Sequence, residues 1–558
     1  MFNISIFVSS YILVICSVLG YGLFFEKLFY KKNVAQNIGY SGLIGIFFLI
    51  IYSYTSHFFI AHNYIHNSVL VFIGLILFLK FMKIIFVKLN FSLIIIFILL
   101  FVGLLLFKTH DDFPYYHFPY SYYLVEHKMI IGVGQFNHGF KTPSSIFYLN
   151  SLFFLPFVKY YSFYFSSVLL MGFSNLIIIS KILEKIKNKN IDYTLYFYLL
   201  VIVFINIFFY RIQEHGTDRS AQILIFILFA ELIIFIKFSE NNKININNIF
   251  ILMGLIISLK SFYILYTVIL FPILFILYKE KKLFLIKDNL NNKFFISFIL
   301  LLILMMSINF FNSGCLIYPV SQTCFDLPWS LGAGQAEHMN QWYQQWSKAG
   351  ATPNFRVDNP EIYIKHFNWV SNWFSEYFFN KVSDFILGTL TVAIIFIFVF
   401  YKKNKIDLKI SRYDLIIYLT ICGLLFEWFY KHPALRYGGY CLISMIIFYP
   451  TSLILQKFNN NIVEIKNKIL VLMLITTTIF LTRNIVRISY EIEKYGYDPL
   501  KNINYRLDEN HFRIDIGIKK LINNYENCEN NNSNCEQIKN PIVKKALTNN
   551  YIIIINND

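Results

Sequence analysis

One short run in the sequence has the residue types of proton transfer: His110-Asp111-Asp112-Phe-Pro-Tyr-Tyr116-His117. A carboxylate in a half-buried groove is a competent general base. The competing reading is a solvated loop after a helix. Three features stand against it. The aspartates directly follow an apolar run that ends near Phe107, where two carboxylates are costly if desolvated. A histidine stands on each side, and an amphipathic stretch, Tyr116 to His127, follows at once.

Three further clusters carry charge into apolar surroundings. Arg211-Ile-Gln-Glu214-His215-Gly-Thr-Asp218-Arg219 packs five ionisable residues into nine positions, as a binding loop or as a self-neutralising salt-bridge cluster. Lys260 interrupts the apolar stretch around Ser258 and Ser261. A lysine there is functional or snorkels to an interface. His432-Pro-Ala-Leu-Arg436-Tyr437-Gly438-Gly439 offers a guanidinium fork for a phosphate and glycines that let a ligand approach the backbone. The chain has 49 Lys and Arg, of which 9 are Arg and 40 Lys (49 − 9). Where Lys is the default cation, each planar, bidentate Arg carries weight.

The segment 312–381 holds Trp329, Trp342, Trp346, Trp369 and Trp373, five of the six tryptophans. Interfacial anchoring accounts for such residues, and stacking on a sugar ring is the alternative. Cys315 and Cys324 share this segment, and Cys528 and Cys535 share the tail. Each pair suits a disulfide in an oxidising compartment, or free thiols. No GxGxxG, Walker loop, HExxH or nucleophile elbow occurs. No cofactor is implied, although the aspartate pair has the oxygens to take a divalent metal ion.

What must position these groups is a membrane bundle. The chain is 57% hydrophobic and 15% charged over 558 residues. Apolar runs approach the roughly 20 residues that cross a bilayer. Fourteen are read: 4–24, 38–60, 67–86, 90–107, 162–180, 192–210, 219–237, 248–259, 262–278, 293–311, 383–401, 413–430, 437–455 and 467–485. The first lacks a basic leader and a cleavage site and is read as a retained span. The net charge of +17 comes from lysines that punctuate spans, so it calls for no nucleic acid. Lysine clusters at 27–32, 80–88, 181–189, 279–287, 402–409 and 457–468 alternate with lysine-poor gaps. The positive-inside rule then puts 108–145, 211–219, 312–381 and 486–558 on the extracytoplasmic side. The expected fold class is an all-α polytopic membrane protein of about 13–14 helices. It divides into an N-terminal unit 1–88, a core 89–311, the Trp-rich loop 312–381, C-terminal helices 382–485 and a tail 486–558. The tail's Tyr551–Ile555 run reads as a strand, and the short apolar run 146–157 as an interfacial or dipping segment.

These residues resemble the C-type (GT-C) superfamily of integral-membrane glycosyltransferases. Asp111-Asp112 is similar to its acidic motif in the first large outer loop, and His432-Pro-Ala-Leu-Arg436-Tyr437 to a late His/Pro-x-x-Arg-Tyr/Phe turn. Asp112…Tyr116-His117, Gly132-Val-Gly134-Gln-Phe-Asn-His138 and Tyr318-Pro319…Cys324-Phe325-Asp326…Trp329 look like an uncharacterised bacterial branch. The resemblance covers about residues 90–440. It implies a bacterial inner-membrane enzyme, active on the periplasmic side, that moves a sugar from a polyprenyl-phosphate donor to a glycan or lipid acceptor. Asp112 is the implied base, with Asp111 beside it. Lys260, Arg436, Arg211 and Arg219 would hold the donor phosphate. His110, Tyr116, His117, Glu214, His215, Asp218, His432, Tyr437 and Trp329 would contact substrate. A flippase of lipid-linked saccharides, or a polysaccharide polymerase or ligase, is the alternative.

Overall fold

In a bilayer every backbone polar group has to be satisfied within the chain, and helices do so segment by segment. The computed structural model describes residues 4–30, 37–86, 91–135, 137–237, 243–287, 291–351, 357, 359–403, 412–458, 461–500, 542–545 and 551–555. The helices are α1 (Ile4–Tyr30), α2 (Ile38–His57), α3 (Tyr64–Phe86), α4 (Ser92–Val102), α5 (Phe118–Glu126), α6 (Ser145–Leu152), α7 (Phe165–Lys187), α8 (Tyr193–Phe208), α9 (Asp218–Lys237) and α10 (Lys243–Leu259). They continue with α11 (Leu270–Lys279), α12 (Phe284–Lys287), α13 (Lys293–Ser313), α14 (Gly332–Lys348), α15 (Pro360–Ile364), α16 (Val370–Trp373), α17 (Ser383–Phe400), α18 (Arg412–Lys431), α19 (Gly439–Gln456) and α20 (Ile462–Tyr495).

The protein is an all-α polytopic membrane protein. All fourteen apolar runs fall on helices. Among the described residues, ten helical segments have the length and hydropathy of a span, and three more are shorter apolar helices. The remaining one, α9, is long enough but carries Asp218, Arg219 and a fully buried Glu231. Polar caps set several starts: the side chains of Asn37, Asp192, Asn292 and Asn461 accept from the first-turn amides of α2, α8, α13 and α20.

Helix α1 packs closely on both α2 and α3, and α2 also packs against α6, α7, α10 and α13. Small residues permit the approach: a Cβ on Gly22 would strike the Ser41 carbonyl, and one on Gly45 the Val18 carbonyl. The short run 146–157 is packed inside the protein as far as Leu155 and then emerges at the exposed Phe157. Its helix α6 is buried throughout, and Ser144 Oγ donates to the Leu259 carbonyl at the end of α10.

Two features differ from expectation. Trp369 and Trp373 are core residues with 0% and 2% exposure, not interfacial anchors. They wedge α16 against α18, where Trp369 meets Phe429 and Trp373 Nε1 donates to the Pro433 carbonyl at 2.9 Å. The last span also runs ten residues past its sequence-based end at 485, to Tyr495 (495 − 485).

Cys315 and Cys324 form a disulfide. Cys528 and Cys535 lie outside the described residues. The tail strand exists: β1 (Ile542–Lys545) and β2 (Ile552–Ile555) form an antiparallel hairpin. Strand β2 also lies along the first loop, where the Ile131 amide donates to the Ile552 carbonyl (3.0 Å) and the Ile554 amide to the Ile131 carbonyl (2.8 Å).

Candidate functional site

The segment that follows α4 is pinned before it reaches Asp112. The Phe107 and Lys108 amides donate to Glu491 Oε2 on α20 at 2.6 and 3.0 Å. Gln213 Nε2 donates to the Leu104 carbonyl (2.6 Å), and the His110 amide donates to the Gln213 carbonyl (3.3 Å). The chain then tightens into a π turn, Phe113–His117, whose Tyr115, Tyr116 and His117 amides converge on the Asp112 carbonyl. This wider turn brings Tyr116 back over its own start, and its hydroxyl donates to Asp112 Oδ2 at 3.0 Å. Single π turns of this kind recur at functional sites.

The turn that carries Arg436 is held as firmly. Trp428 Nε1 donates to the Ala434 carbonyl (2.9 Å), and the Leu435 amide donates to the Tyr377 hydroxyl (2.9 Å). Gln222 Nε2 and the Tyr263 hydroxyl both donate to the Arg436 carbonyl, at 3.1 and 3.2 Å. Gly438 leaves the turn at φ +103°, a conformation that L side chains rarely adopt, and a Cβ there would collide with the Tyr266 hydroxyl.

Four ionic groups from four separate segments then join. Arg436 Nη2 lies 2.6 Å from Asp112 Oδ2, and Arg436 Nε lies 2.8 Å from Asp218 Oδ2. Lys260 Nζ contacts the other oxygen of Asp218. Lys260 is placed by the end of α10, in extended backbone before the 3-10 segment Ser261–Ile269, and its ammonium sits 4.5 Å from the Tyr437 ring centre. Arg436 also faces the Trp346 ring at 5.6 Å. Asp218 is the most enclosed member at 4% side-chain exposure, whereas Asp112 and Arg436 each keep 27%. Two carboxylates against two cations make the group neutral, and it is reachable from the Asp112 side.

Burial works to raise the Asp112 pKa, but Arg436 and the nearby His110 and His117 outweigh it and hold the carboxyl well below its usual range. Burial pushes His117 down to about 3, so its imidazole is neutral at ordinary pH. His110 and His117 stack with ring centres 5.2 Å apart. Gly216 (φ +53°) lets the neighbouring loop pass them, since a Cβ would come within 3.1 Å of His117 Cε1 and 3.2 Å of His110 Cδ2. Ligand atoms of His110, Asp112 and His117 lie within 4.8 Å of one another, and His117 Nε2 is buried without a hydrogen-bond partner. Two imidazoles and a carboxylate suit Zn²⁺, Fe²⁺ or Mn²⁺ better than Mg²⁺ or Ca²⁺. Asp111, the other half of the acidic pair, is exposed and outside this group.

Over residues 4–443 the sequence matches the family described as a domain of unknown function (DUF8201). The chain belongs to this family. The matched stretch of DUF8201 contains Asp112, Asp218, Lys260 and Arg436 as well as the three N-terminal helices, and stops before α20. No curated protein and no solved structure matches the chain.

Other expected site residues of this DUF8201 chain lie elsewhere. Arg211 and Arg219 do not reach the Arg436 group. They flank Glu214, 3.4 and 3.8 Å from its Oε2, while Arg487 of α20 takes Oε1 at 2.5 Å. Burial raises the Glu214 pKa less than Arg487, Arg211 and Arg219 lower it, so its carboxyl stays ionised. His215 is fully buried and donates from Nε2 to the Phe209 carbonyl (2.6 Å), a structural bond. His432 packs edge-on to Phe262 and Tyr437, and burial brings it to about 3. Trp329 stands on the loop wall and donates to the Phe310 carbonyl (3.3 Å), beside Gly132. The sequence reading missed Arg487 and Glu491, whose four-residue spacing on one helix face was the available signal.

Proposed function

We propose that the chain is an integral-membrane glycosyltransferase that moves a sugar from a polyprenyl-phosphate donor to an acceptor hydroxyl on the extracytoplasmic side. The observation that supports this reading is the Asp112–Arg436–Asp218–Lys260 chain of contacts, assembled at one end of the bundle from residues up to 324 positions apart. Lys27, Lys181 and Lys279 stand in the opposite halves of their helices and Lys402 just past the end of α17, which by the positive-inside rule supports an extracytoplasmic site end.

In the resting site Arg436 neutralises Asp112 and makes it a poor base. A donor phosphate that enters between them competes for the guanidinium. Asp112 is then released toward an ordinary carboxylate pKa just where the acceptor hydroxyl arrives. The hydroxyl proton passes to Asp112, the acceptor oxygen bonds to the anomeric carbon, and the carbon–oxygen bond to phosphate breaks with its electron pair on the phosphate. Arg436 and Lys260 stabilise the charge that grows there. Asp218 remains between the two cations and fixes their spacing. If a metal ion is bound at His110, Asp112 and His117, it would supply Lewis-acid stabilisation of the same phosphate.

Transfer from a radiolabelled polyprenyl-phosphate sugar, followed in membranes that carry each variant, tests this reading. Asp112→Asn should abolish transfer and leave donor binding nearly intact. Full activity in both Asp112→Asn and Asp111→Asn would remove the base and strengthen a transport reading.

A further inference from the structure

A cavity of about 560 Å³ opens beside the C-terminal end of α20. It is lined by Lys108, Arg211, Arg483, Arg487 and Lys494, with Glu491 the one acid among its lining residues. Counting Glu214 behind Arg487, five cations face two carboxylates, an excess of three (5 − 2). The Asp112 group, by contrast, is neutral. Its ion pairs are complete, whereas here Arg487 Nη1 is buried without a hydrogen-bond partner. Two cations are prepositioned by aromatic rings: Arg483 stacks on Tyr210 at 3.9 Å, and Arg211 Nε donates to the Tyr210 hydroxyl at 2.9 Å. Stacked, forked guanidiniums suit a phosphate better than a simple point charge does.

The cavity also has an apolar continuation. Val486 and Tyr490 on its wall are 62% and 59% exposed, and the same helix presents Leu470, Leu474 and Ile475 along the membrane-spanning part at 50% exposure or more. A ligand with its head in the cavity can therefore lay a hydrocarbon tail down α20.

We propose that this cavity is a binding site for the anionic, phosphate-bearing head of a membrane lipid, separate from the Asp112 group. Its two walls explain the two halves of such a molecule: a guanidinium-rich pocket for the head and a lipid-facing helix for the tail. Phe107 and Lys108, bound to Glu491 of the cavity wall, belong to the segment that carries Asp112, and Gln213 beside Arg211 is bonded to the same segment, so occupancy of the cavity steadies the loop that positions the base.

Native mass spectrometry of the full chain in detergent tests the site. Added probes are phosphatidylglycerol, phosphatidylcholine, undecaprenyl phosphate and inorganic phosphate. Arg483 and Lys494 are exposed, so the Arg483→Ala/Lys494→Ala double variant should fold. Exposed Lys381→Ala is the control. Retention of the preferred anionic lipid should weaken about 10- to 30-fold in the double variant and stay unchanged in the control. Tighter retention of undecaprenyl phosphate than of phosphatidylglycerol would identify a polyprenyl head, and the reverse a bulk phospholipid. Either supports the site. Equal retention in the double variant, equal retention of zwitterionic phosphatidylcholine, or full displacement by millimolar inorganic phosphate would overturn it. The assay measures no transfer, so its outcome is separate from that of the Asp112→Asn experiment.

Discussion

Arg436 and Asp112 are 324 positions apart in the sequence and meet through a 2.6 Å contact between Nη2 and Oδ2. The same guanidinium donates from Nε to Asp218, so one planar group is shared between two carboxylates. An ammonium cannot reproduce that division. Arg436→Lys should weaken donor binding and lower turnover by about 10²-fold, within the usual range for a lost transition-state donor. Arg436→Ala leaves Asp218 with Lys260 alone and should also lower stability by about 3–5 kcal/mol. Thermal unfolding in detergent separates the two: a Lys variant that is fully active would show that the fork is dispensable.

Asp112→Asn retains the shape of the side chain and its bond from Tyr116 but cannot take a proton. Loss of about 10²–10⁴-fold in turnover is the expected result, with a melting temperature lowered by the lost charge on Arg436 but by less than in Arg436→Ala. The exposed Asp111→Asn should stay near wild type in the same membranes.

Gly438→Ala tests how the Arg436 turn is built. The residue sits at φ +103°, and the added Cβ would meet the Tyr266 hydroxyl. A destabilisation of about 1–3 kcal/mol is expected from the backbone alone, and activity should fall further because Arg436 is displaced. Unchanged stability would mean that the turn has another accessible conformation.

Acid should weaken the fold through its buried imidazoles. His117 and His432 have an ordinary value of 6.5 and are held near 3 by burial. As pH drops below 6.5 the unfolded chain takes up protons that the folded chain refuses. The stability these residues contribute is therefore present above pH 6.5 and is lost progressively between 6.5 and 3. Asp112, with its pKa depressed, stays charged in the folded protein through that window, but the unfolded carboxyl takes up a proton as pH approaches its ordinary value of 3.8, so Asp112 adds to the loss at the acid end. Melting temperatures measured against pH should show a steeper acid limb in wild type than in His117→Gln.

The disulfide offers a test of sidedness. Cys315 and Cys324 should resist thiol labelling in intact cells until an impermeant reductant is added. Labelling from the cytoplasmic side alone would invert the proposed orientation. Cys315→Ser should cost about 2–3 kcal/mol, as for other short closed loops.

The helices were largely legible because hydropathy and lysine punctuation act locally, and all fourteen runs were placed on that basis. Asp112, Lys260 and Arg436 stood out because charge next to an apolar run has to be justified. The bridging role of Asp218 was not legible: it reads as one more charge of the 211–219 loop, and its partners come from segments 42 and 218 positions away. The end of α20 was cut short for the opposite reason. Arg483, Arg487 and Glu491 lower the hydropathy, yet their spacing continues the helix beyond the apolar part. Trp369 and Trp373 show the limit of a composition rule, since neighbouring aromatic residues of α18 turned two apparent interfacial anchors into core.

The pairing of Ile131 with strand β2 has a consequence for biosynthesis. Gln135 and Ile554, which meet at this edge, are 419 residues apart. The first loop is made early, yet its backbone edge stays open until that distant segment has been made and brought to the same side of the membrane. A chain interrupted anywhere between them leaves the Ile131 amide and carbonyl without the partner strand that the finished molecule supplies.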